Sequence, residues 1–409
     1  MPRTITVEER RARLARRHHL LPETRVDGPD AVARIADDLV ALHSTDPVTV
    51  FLSAMVRMRN PSVQAVERAL YDDRAVFRHH AMRRTLWVAT PDVVRLMHVS
   101  ATRKLAGPEH RRTAKLLAEN GVADPEGWMA DARRQVLDLL EEHGPLTART
   151  LGDRVPALRQ KIVMAPGKSY SATVSAHTRV LLNLGFEGHI LRTRPTGTWI
   201  NGAYTYAAAH AWLDGGLPQS GSTADARAEE RQAAASLALR WLTRFGPATT
   251  TDLQWWAGWT SALTRAALED CGAEEVRLAE GTGWVAPGND GQEEPAPPWV
   301  ALLPGLDPTT MGWKERDWYL PPAAAQAFDR MGNAGPTIWV DGRVVGAWVQ
   351  TPAGELRTRL FCEVGEEERT AIERRAAEVA AMIGGTRFTV RFPSPASVAL
   401  LREAAAAAH

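Results

Sequence analysis

The nine residues HGPLTARTL (His143–Leu151) return in altered form as FGPATTTDL (Phe245–Leu253). A repeated supersecondary unit constrains a fold more tightly than composition does, because every copy must bury the same face. In both copies an apolar helix ends at Gly-Pro, and a threonine follows where an N-cap would open the next helix. The likeness continues downstream. Ala176–Leu184 reads as a helix closed by Gly185, and Leu263–Asp270 as a helix closed by Gly272. Each is followed by a short strand, a turn containing Thr and Gly, and a strand beginning at tryptophan: Ile190 to Trp199 in one copy, Val276 to Trp284 in the other. Helix, tight turn, second helix and hairpin is the order of a winged helix, whose second helix can enter a DNA groove.

A more diverged copy is predicted at the N-terminus. Thr6-Val-Glu-Glu9 is a capping-box pattern opening a helix through Arg17. Val32, Ile35, Ala36, Leu39 and Val40 keep helical spacing. Asp46-Pro47 reads as an N-cap with proline at the first helical position, starting a helix that runs to about Met58. Phe77–Ala89 has the apolar and β-branched character of a hairpin, with Arg83-Arg84 near its turn.

Gly215–Ala224 is Gly/Ser-rich and reads as a linker, and Ala286–Pro298 as an acidic, proline-rich loop. Beyond it, Val300–Leu303, Thr337–Val340, Val344–Val349 and Leu356–Cys362 read as strands. Asp341-Gly342 and Ala353-Gly354 supply hairpin turns. A long helix over Glu366–Met382, then a final strand and a helix, complete the chain. The expected fold is α+β: tandem winged-helix units followed by a small C-terminal antiparallel β-barrel or sheet. The units are predicted at 1–130, 131–214 and 225–290, with the C-terminal domain at 299–409.

Composition narrows the function classes. No run approaches the roughly 18 apolar residues of a membrane span, and the charged N-terminus has no signal-peptide core. Cys271 and Cys362 are far apart and in no metal-type spacing, which points to reduced thiols in a cytoplasm. Net charge is +1, so nucleic-acid binding must rest on where the positive charge sits. Arginine greatly outnumbers lysine, which stands only at Lys104, Lys115, Lys161, Lys168 and Lys314. Its planar fork suits phosphate, although a genome rich in G and C would produce the same bias.

Five segments then carry a family resemblance over nearly the whole chain: Leu42-His-Ser-Thr-Asp-Pro47, Met82-Arg-Arg-Thr-Leu86, Leu184-Gly-Phe-Glu-Gly188, Leu303–Trp313 (LPGLDPTTMGW) and Gly332-Asn-Ala-Gly-Pro336. Together they resemble the AlkZ-like and YcaQ-like DNA glycosylases, tandem winged-helix proteins with a C-terminal barrel. The resemblance implies removal of bulky alkylated bases from double-stranded DNA, natural-product adducts and crosslinks among them, by a monomeric repair enzyme that needs no cofactor. The family's catalytic motif, Gln, a variable residue, then Gln or Asp, aligns with His43-Ser44-Thr45 ahead of Asp46. The frame matches, and both functional positions differ.

The reaction sets what such residues must do. An N7-alkylated purine carries positive charge and leaves as a neutral base, so no acid has to protonate it. What remains is an oxocarbenium-like sugar and delivery of water to C1′, a relative of glycoside hydrolysis without the acid partner. An imidazole near its free pKa of about 6.5 can orient water and take its proton, and a hydroxyl can hold the same water from the other side. His43 is therefore expected as base or water-orienting group, and Thr45, two residues on and pointing the same way, as its assistant. Asp46 would stabilise positive charge on the sugar or on His43. Equally, a histidine at a helix end and an Asp-Pro cap are ordinary structural features.

Arg83 and Arg84 beside the motif, and Lys168, Arg192 and Arg194 in the second unit, are the expected contacts to DNA phosphates. Trp255, Trp256 and Trp259 are expected in the core, and Asp307 and Trp313 in a structural turn. The pairs His18-His19 and His79-His80 lack metal-ligand spacing, so no metal is expected. The alternative function is a non-catalytic winged-helix DNA-binding protein, a regulator or damage sensor. A protein-interaction module ranks behind it.

Overall fold

A computed structural model describes residues 2–164, 167, 171–219 and 222–407. The first unit holds α1 (Val7–Arg17), α2 (Ala31–Asp38), β1 (Leu42–His43), α3 (Pro47–Met55), α4 (Val63–Glu67), β2 (Phe77–His80), β3 (Leu86–Ala89), α5 (Pro91–Met97) and α6 (Ala106–Glu119). Thr6 caps α1 by accepting the Glu9 N–H at 3.2 Å. The Glu9 carboxylate does not return to close the predicted box; it binds Arg3 and Arg13 instead. Asp46 caps α3 through the Val48 N–H at 3.2 Å, with Pro47 at the first position as predicted. The helix stops at Met55, three residues short of the expected end.

The second unit holds α7 (Pro125–His143), β4 (Leu146–Thr147), α8 (Ala148–Arg154), β5 (Lys161–Met164), β6 (Ala172–Ser175), α9 (His177–Phe186), β7 (Ile190–Pro195), β8 (Tyr204–Ala208) and α10 (Ala209–Trp212). The third holds α11 (Thr223–Phe245), α12 (Thr250–Ala257), α13 (Ser261–Asp270), β9 (Glu274–Leu278) and β10 (Gly281–Val285). The repeated threonines do cap helices: Thr147 accepts the Thr150 N–H at 3.0 Å, and Thr249 forms a full capping box with Asp252. In the second unit the returning strand begins at Tyr204 rather than at Trp199, whose side chain is buried in the turn. The β5–β6 hairpin was not anticipated. Its exposed positions and short strands leave no long alternation to read.

One six-stranded sheet, in the order β1-β3-β2-β7-β8-β4, runs through the first two units. The junction is β2 against β7, where Arg78 stands opposite Arg192. The C-terminal region contributes β11 (Val300–Leu303), β12 (Thr337–Val340), β13 (Arg343–Gln350), β14 (Leu356–Leu360), α14 (Glu366–Ile383) and α15 (Pro395–Ala407). Its strands form an open antiparallel sheet in sequence order, so of the two expected forms the sheet is found and not the barrel. The expected last strand before α15 is also absent among the described residues; 385–392 carries no strand pairing.

One apolar core reaches from Leu14 through the first and third units to Ile383 in α14, and includes Phe51, Trp241, Trp256, Trp313 and Trp339. The second unit has its own cluster, from Ala132 and Val136 to Leu184 and Ile190. The larger core also takes in Leu191, Trp199, Ala209 and Leu213 of the second unit, so all four regions contribute to one interior.

Candidate active site

Val40, at φ 60°, turns the chain out of α2, so Leu42 and His43 lie on a strand and not at a helix end as the sequence suggested. Pairing of β1 with β3 sets His43 opposite Trp87, with ring centres 4.7 Å apart. The imidazole is 3% exposed. Burial, and after it the nearby Arg83 guanidinium, hold its pKa down at about 3. His43 is therefore neutral, and it is not the near-neutral base that its free pKa implied. Its Nδ1 accepts the Thr45 N–H at 3.4 Å. The neutral ring then carries its proton on Nε2, where it donates rather than accepts.

The Ser44 hydroxyl accepts a hydrogen bond from Arg78 Nε at 2.8 Å. The Thr45 hydroxyl oxygen is buried with no protein hydrogen-bond partner. Asp46 Oδ1 caps α3, and Oδ2 accepts the Arg391 N–H at 3.3 Å. Arg391 also donates to the Thr45 carbonyl at 2.9 Å. Burial pushes the Asp46 carboxyl above the ordinary range, against the opposing pull of its hydrogen bonds and of Arg391.

Asp46 lies on the wall of an open groove of about 1160 Å³, with Pro47, Gly202, Phe388 and Arg391 among its other walls. His43 and Thr45 do not line it. The sequence motif thus splits in the fold, with a carboxylate at the accessible surface and an imidazole and a hydroxyl in the layer behind.

The groups that fix Asp46 were not legible in the motif. Thr49 Oγ1 of α3 donates to the Gly305 carbonyl at 2.7 Å, and Ser53 Oγ to Asp307 Oδ2 at 2.7 Å. Arg57 meets Asp307 with two hydrogen bonds of 2.9 and 2.7 Å, and both side chains are fully buried. Asp307 was expected only to shape a turn. It binds α3 to the C-terminal sheet, so the Leu303–Trp313 segment holds in place the helix that Asp46 caps. The one signal for this was Asp307 itself, a carboxylate within an apolar stretch.

The five expected DNA contacts fall into different states. Arg83 and Arg84 occupy the β2–β3 turn in succession at φ 54° and 62°, a backbone region that costs a non-glycine residue about 1–3 kcal/mol. Arg83 is exposed, lies 4.1 Å over the Trp255 ring, and forms no salt bridge among the described residues. Gly258, at φ 68°, permits this approach, since a Cβ there would meet Arg83 Cγ at 3.3 Å. Arg84 is engaged by Glu109 at 2.7 Å. Arg192 and Arg194 share β7. Arg192 is half-buried beside Tyr206, and Arg194 is exposed and paired with Asp72 at 2.7 Å. Lys168 lies outside the described residues.

Trp256 and Trp259 are buried as expected. Trp255 departs from that expectation, being only partly buried between Arg83 and Arg316. The paired histidines point apart: His18 to Thr309 at 2.8 Å and His19 to Asp38 at 2.6 Å. His79 contacts His98 at 3.1 Å. Among the described residues no group of three or more His, Cys, Asp or Glu is placed to hold a metal ion, and no helix is long and apolar enough to cross a membrane.

A model of the family described as "DNA glycosylase AlkZ-like" matches residues 36–382. The chain belongs to the AlkZ-like DNA glycosylase family. Among solved structures it is similar to the DNA glycosylase AlkZ of Streptomyces sahachiroi, at 21% identity and a TM-score of 0.65, over 95% of this chain and 100% of that one. At that identity the likeness is one of fold. No curated protein matches the sequence. Family membership assigns this AlkZ-like chain to the DNA glycosylases, with DNA as the substrate.

Proposed function

We propose that this DNA glycosylase excises bulky N7-alkylpurine adducts, crosslinks and natural-product adducts among them, from duplex DNA by water attack at C1′. The observation that carries the reading is the position of Asp46: a carboxylate with a raised pKa on the wall of a large groove, directly after the segment that aligns with the family's catalytic motif. We place Asp46 against the sugar, where it stabilises the oxocarbenium-like transition state and receives the proton of the attacking water. Thr45 and His43 stand behind it. The Thr45 hydroxyl supplies a hydrogen-bonding oxygen, and the His43 ring fixes the Thr45 backbone through Nδ1. A positively charged leaving purine asks for no general acid, so one accessible carboxylate meets the chemical need.

The helix–helix–hairpin units act in this reading as winged helices on the DNA backbone, within units at 1–130, 131–214 and 225–290 that precede the sheet domain at 299–409. Arg83 contacts phosphate beside the lesion. Arg194 exchanges its exposed Asp72 partner for phosphate, since a surface pair of this kind is worth at most about 1 kcal/mol, while Arg84, half-exposed on the buried Glu109, and Arg192, beside Tyr206, add phosphate contacts from where they stand. Lys168 extends the same backbone contact from the second unit. The protein works as a monomer, in the cytoplasm and on the nucleoid.

The test is release of N7-alkylguanine from a duplex carrying a bulky adduct, read as free base and as alkali-labile sites. Turnover that Asp46→Asn removes supports the reading. Tight binding without release by the parent on every such adduct supports the DNA-binding alternative instead.

A further inference from the structure

The turn that leads into the Gly332–Pro336 segment of the C-terminal region presents one unusual side chain. Met331 is 85% exposed, far more than any other large apolar residue described. Its backbone is nonetheless tightly held. The Asp329 carboxylate accepts the N–H groups of Met331 and Asn333, each at 2.8 Å, and the Asn333 side-chain amide at 2.9 Å. The Asp329 N–H donates to the Asn333 carbonyl at 2.9 Å, and Gly332 at φ 82° completes the turn. Phe328 bridges to Ala334 at its base. A single exposed apolar side chain is ordinary on a protein surface; what sets Met331 apart is the hydrogen-bonded turn that holds it out.

The charges beside it indicate what it meets. Phe328, at the base of the turn, lies 4.3 Å under the Arg316 guanidinium. Arg316 lies 5.0 Å from the Trp255 ring, and Arg83 covers the same ring at 4.1 Å. A row of Phe328, Arg316, Trp255 and Arg83 thus leads from the Met331 turn to the β2–β3 turn next to His43. Arg83, Arg316 and Arg330 form no salt bridge among the described residues, and the Asp329 carboxylate is spent on the turn. An exposed apolar tip, next to cations that lack carboxylate partners, matches a polyanion with an apolar interior, which is a base-paired duplex.

We infer that Met331 is a wedge that enters the base stack and occupies the space left when the damaged nucleotide turns out of the helix, with Arg330, Arg316 and Arg83 on the flanking phosphates. This rests on the glycosylase reading and adds how the lesion is exposed. Extruding a nucleotide costs a few kcal/mol of stacking and pairing, and a side chain that fills the gap recovers part of it.

The test uses the full chain and a duplex with one tetrahydrofuran abasic analogue opposite 2-aminopurine, whose fluorescence reports its stacking. The parent is expected to change that fluorescence on binding. Met331→Ala, whose exposed side chain supports no core, is expected to bind about tenfold more weakly and to lose most of the fluorescence change. Arg330→Ala is expected to keep the change and to reduce the salt dependence of binding by nearly one phosphate contact. A full change with Met331→Ala overturns the wedge, as does the absence of any change with the parent. Base release from N7-alkylated duplex, measured on the same proteins, separates the two ideas. Release by the parent with Met331→Ala unaltered in both assays ends only the wedge, and no release by the parent ends the glycosylase reading.

Discussion

Replacing Asp307 by alanine removes one half of a fully buried bidentate ion pair and leaves the Arg57 guanidinium without charge compensation. It also takes the acceptor from Ser53. Breaking one partner of such a pair costs about 3–5 kcal/mol, mostly the desolvated charge left behind. The 409-residue chain has an unfolding entropy near 0.9 kcal/mol/K if it melts as one unit, at about 2.1 cal/mol/K per residue. The expected fall in Tm is then roughly 4–6 °C, measured by differential scanning calorimetry. The double variant Arg57→Met with Asp307→Leu removes both charges at similar volume and is expected to recover most of the loss, since a buried pair offers little over well-packed apolar groups. Because the pair anchors the helix capped by Asp46, Asp307→Ala should also slow base release at temperatures where the protein is still folded. A Tm change below about 1 °C would refute the reasoning, for it would mean that Arg57 finds water or another partner as readily as Asp307.

Acid should destabilise the fold before it reaches the carboxylates. His18, His43, His79, His80 and His98 are all held below their ordinary pKa, first by burial, His43 to about 3 and His98 to about 4. Each is neutral when folded and protonates on unfolding below about pH 6.5. Their stabilisation is thus complete above that value and is lost as pH falls toward 3–4, and a Tm that is flat from pH 7 to pH 4.5 would contradict this. Arg83→Ala should weaken duplex binding and lower the slope of log K against log salt by nearly one; an unchanged slope would remove Arg83 from the phosphate contacts. His43→Gln, which brings in the residue type the family motif carries at that position, should retain or raise base release, because the ring is placed to orient rather than to deprotonate. A loss of a hundredfold would restore His43 as the base.

The repeated Gly-Pro-x-Thr segments made the ends of α7 and α11 and the starts of α8 and α12 legible, because each combines a helix stop with a cap whose hydrogen bonds are local. The same locality exposed the Asp46-Pro47 helix start and the β2–β3 turn. The shared six-stranded sheet was not legible. It depends on β2 meeting β7 across more than a hundred residues, and Arg78 opposite Arg192 leaves no periodic signal. At the site, the cap that Asp46 places on α3 was readable. The burial of His43 was not, because it follows from Trp87 on a strand far along the chain. The role of Asp307 is not legible because nothing in sequence links it to Arg57, 250 residues away. Trp255 has the apolar surroundings of a core residue in sequence, and its position between Arg83 and Arg316 depends on contacts among segments far apart in the chain.

The central claim is that the Asp46 carboxylate takes part in breaking the glycosidic bond. Single-turnover release of a bulky N7-alkylguanine from duplex DNA, measured across pH for the parent and for Asp46→Asn, tests it most directly. The rate of the parent should fall with acid at a pH above the ordinary carboxylate range, following the raised Asp46 pKa. Asp46→Asn should be slower by about 10²–10⁴-fold and lose that acid limb, with duplex binding and Tm close to those of the parent. Parental rates in Asp46→Asn, or the same acid limb in both proteins, would contradict it.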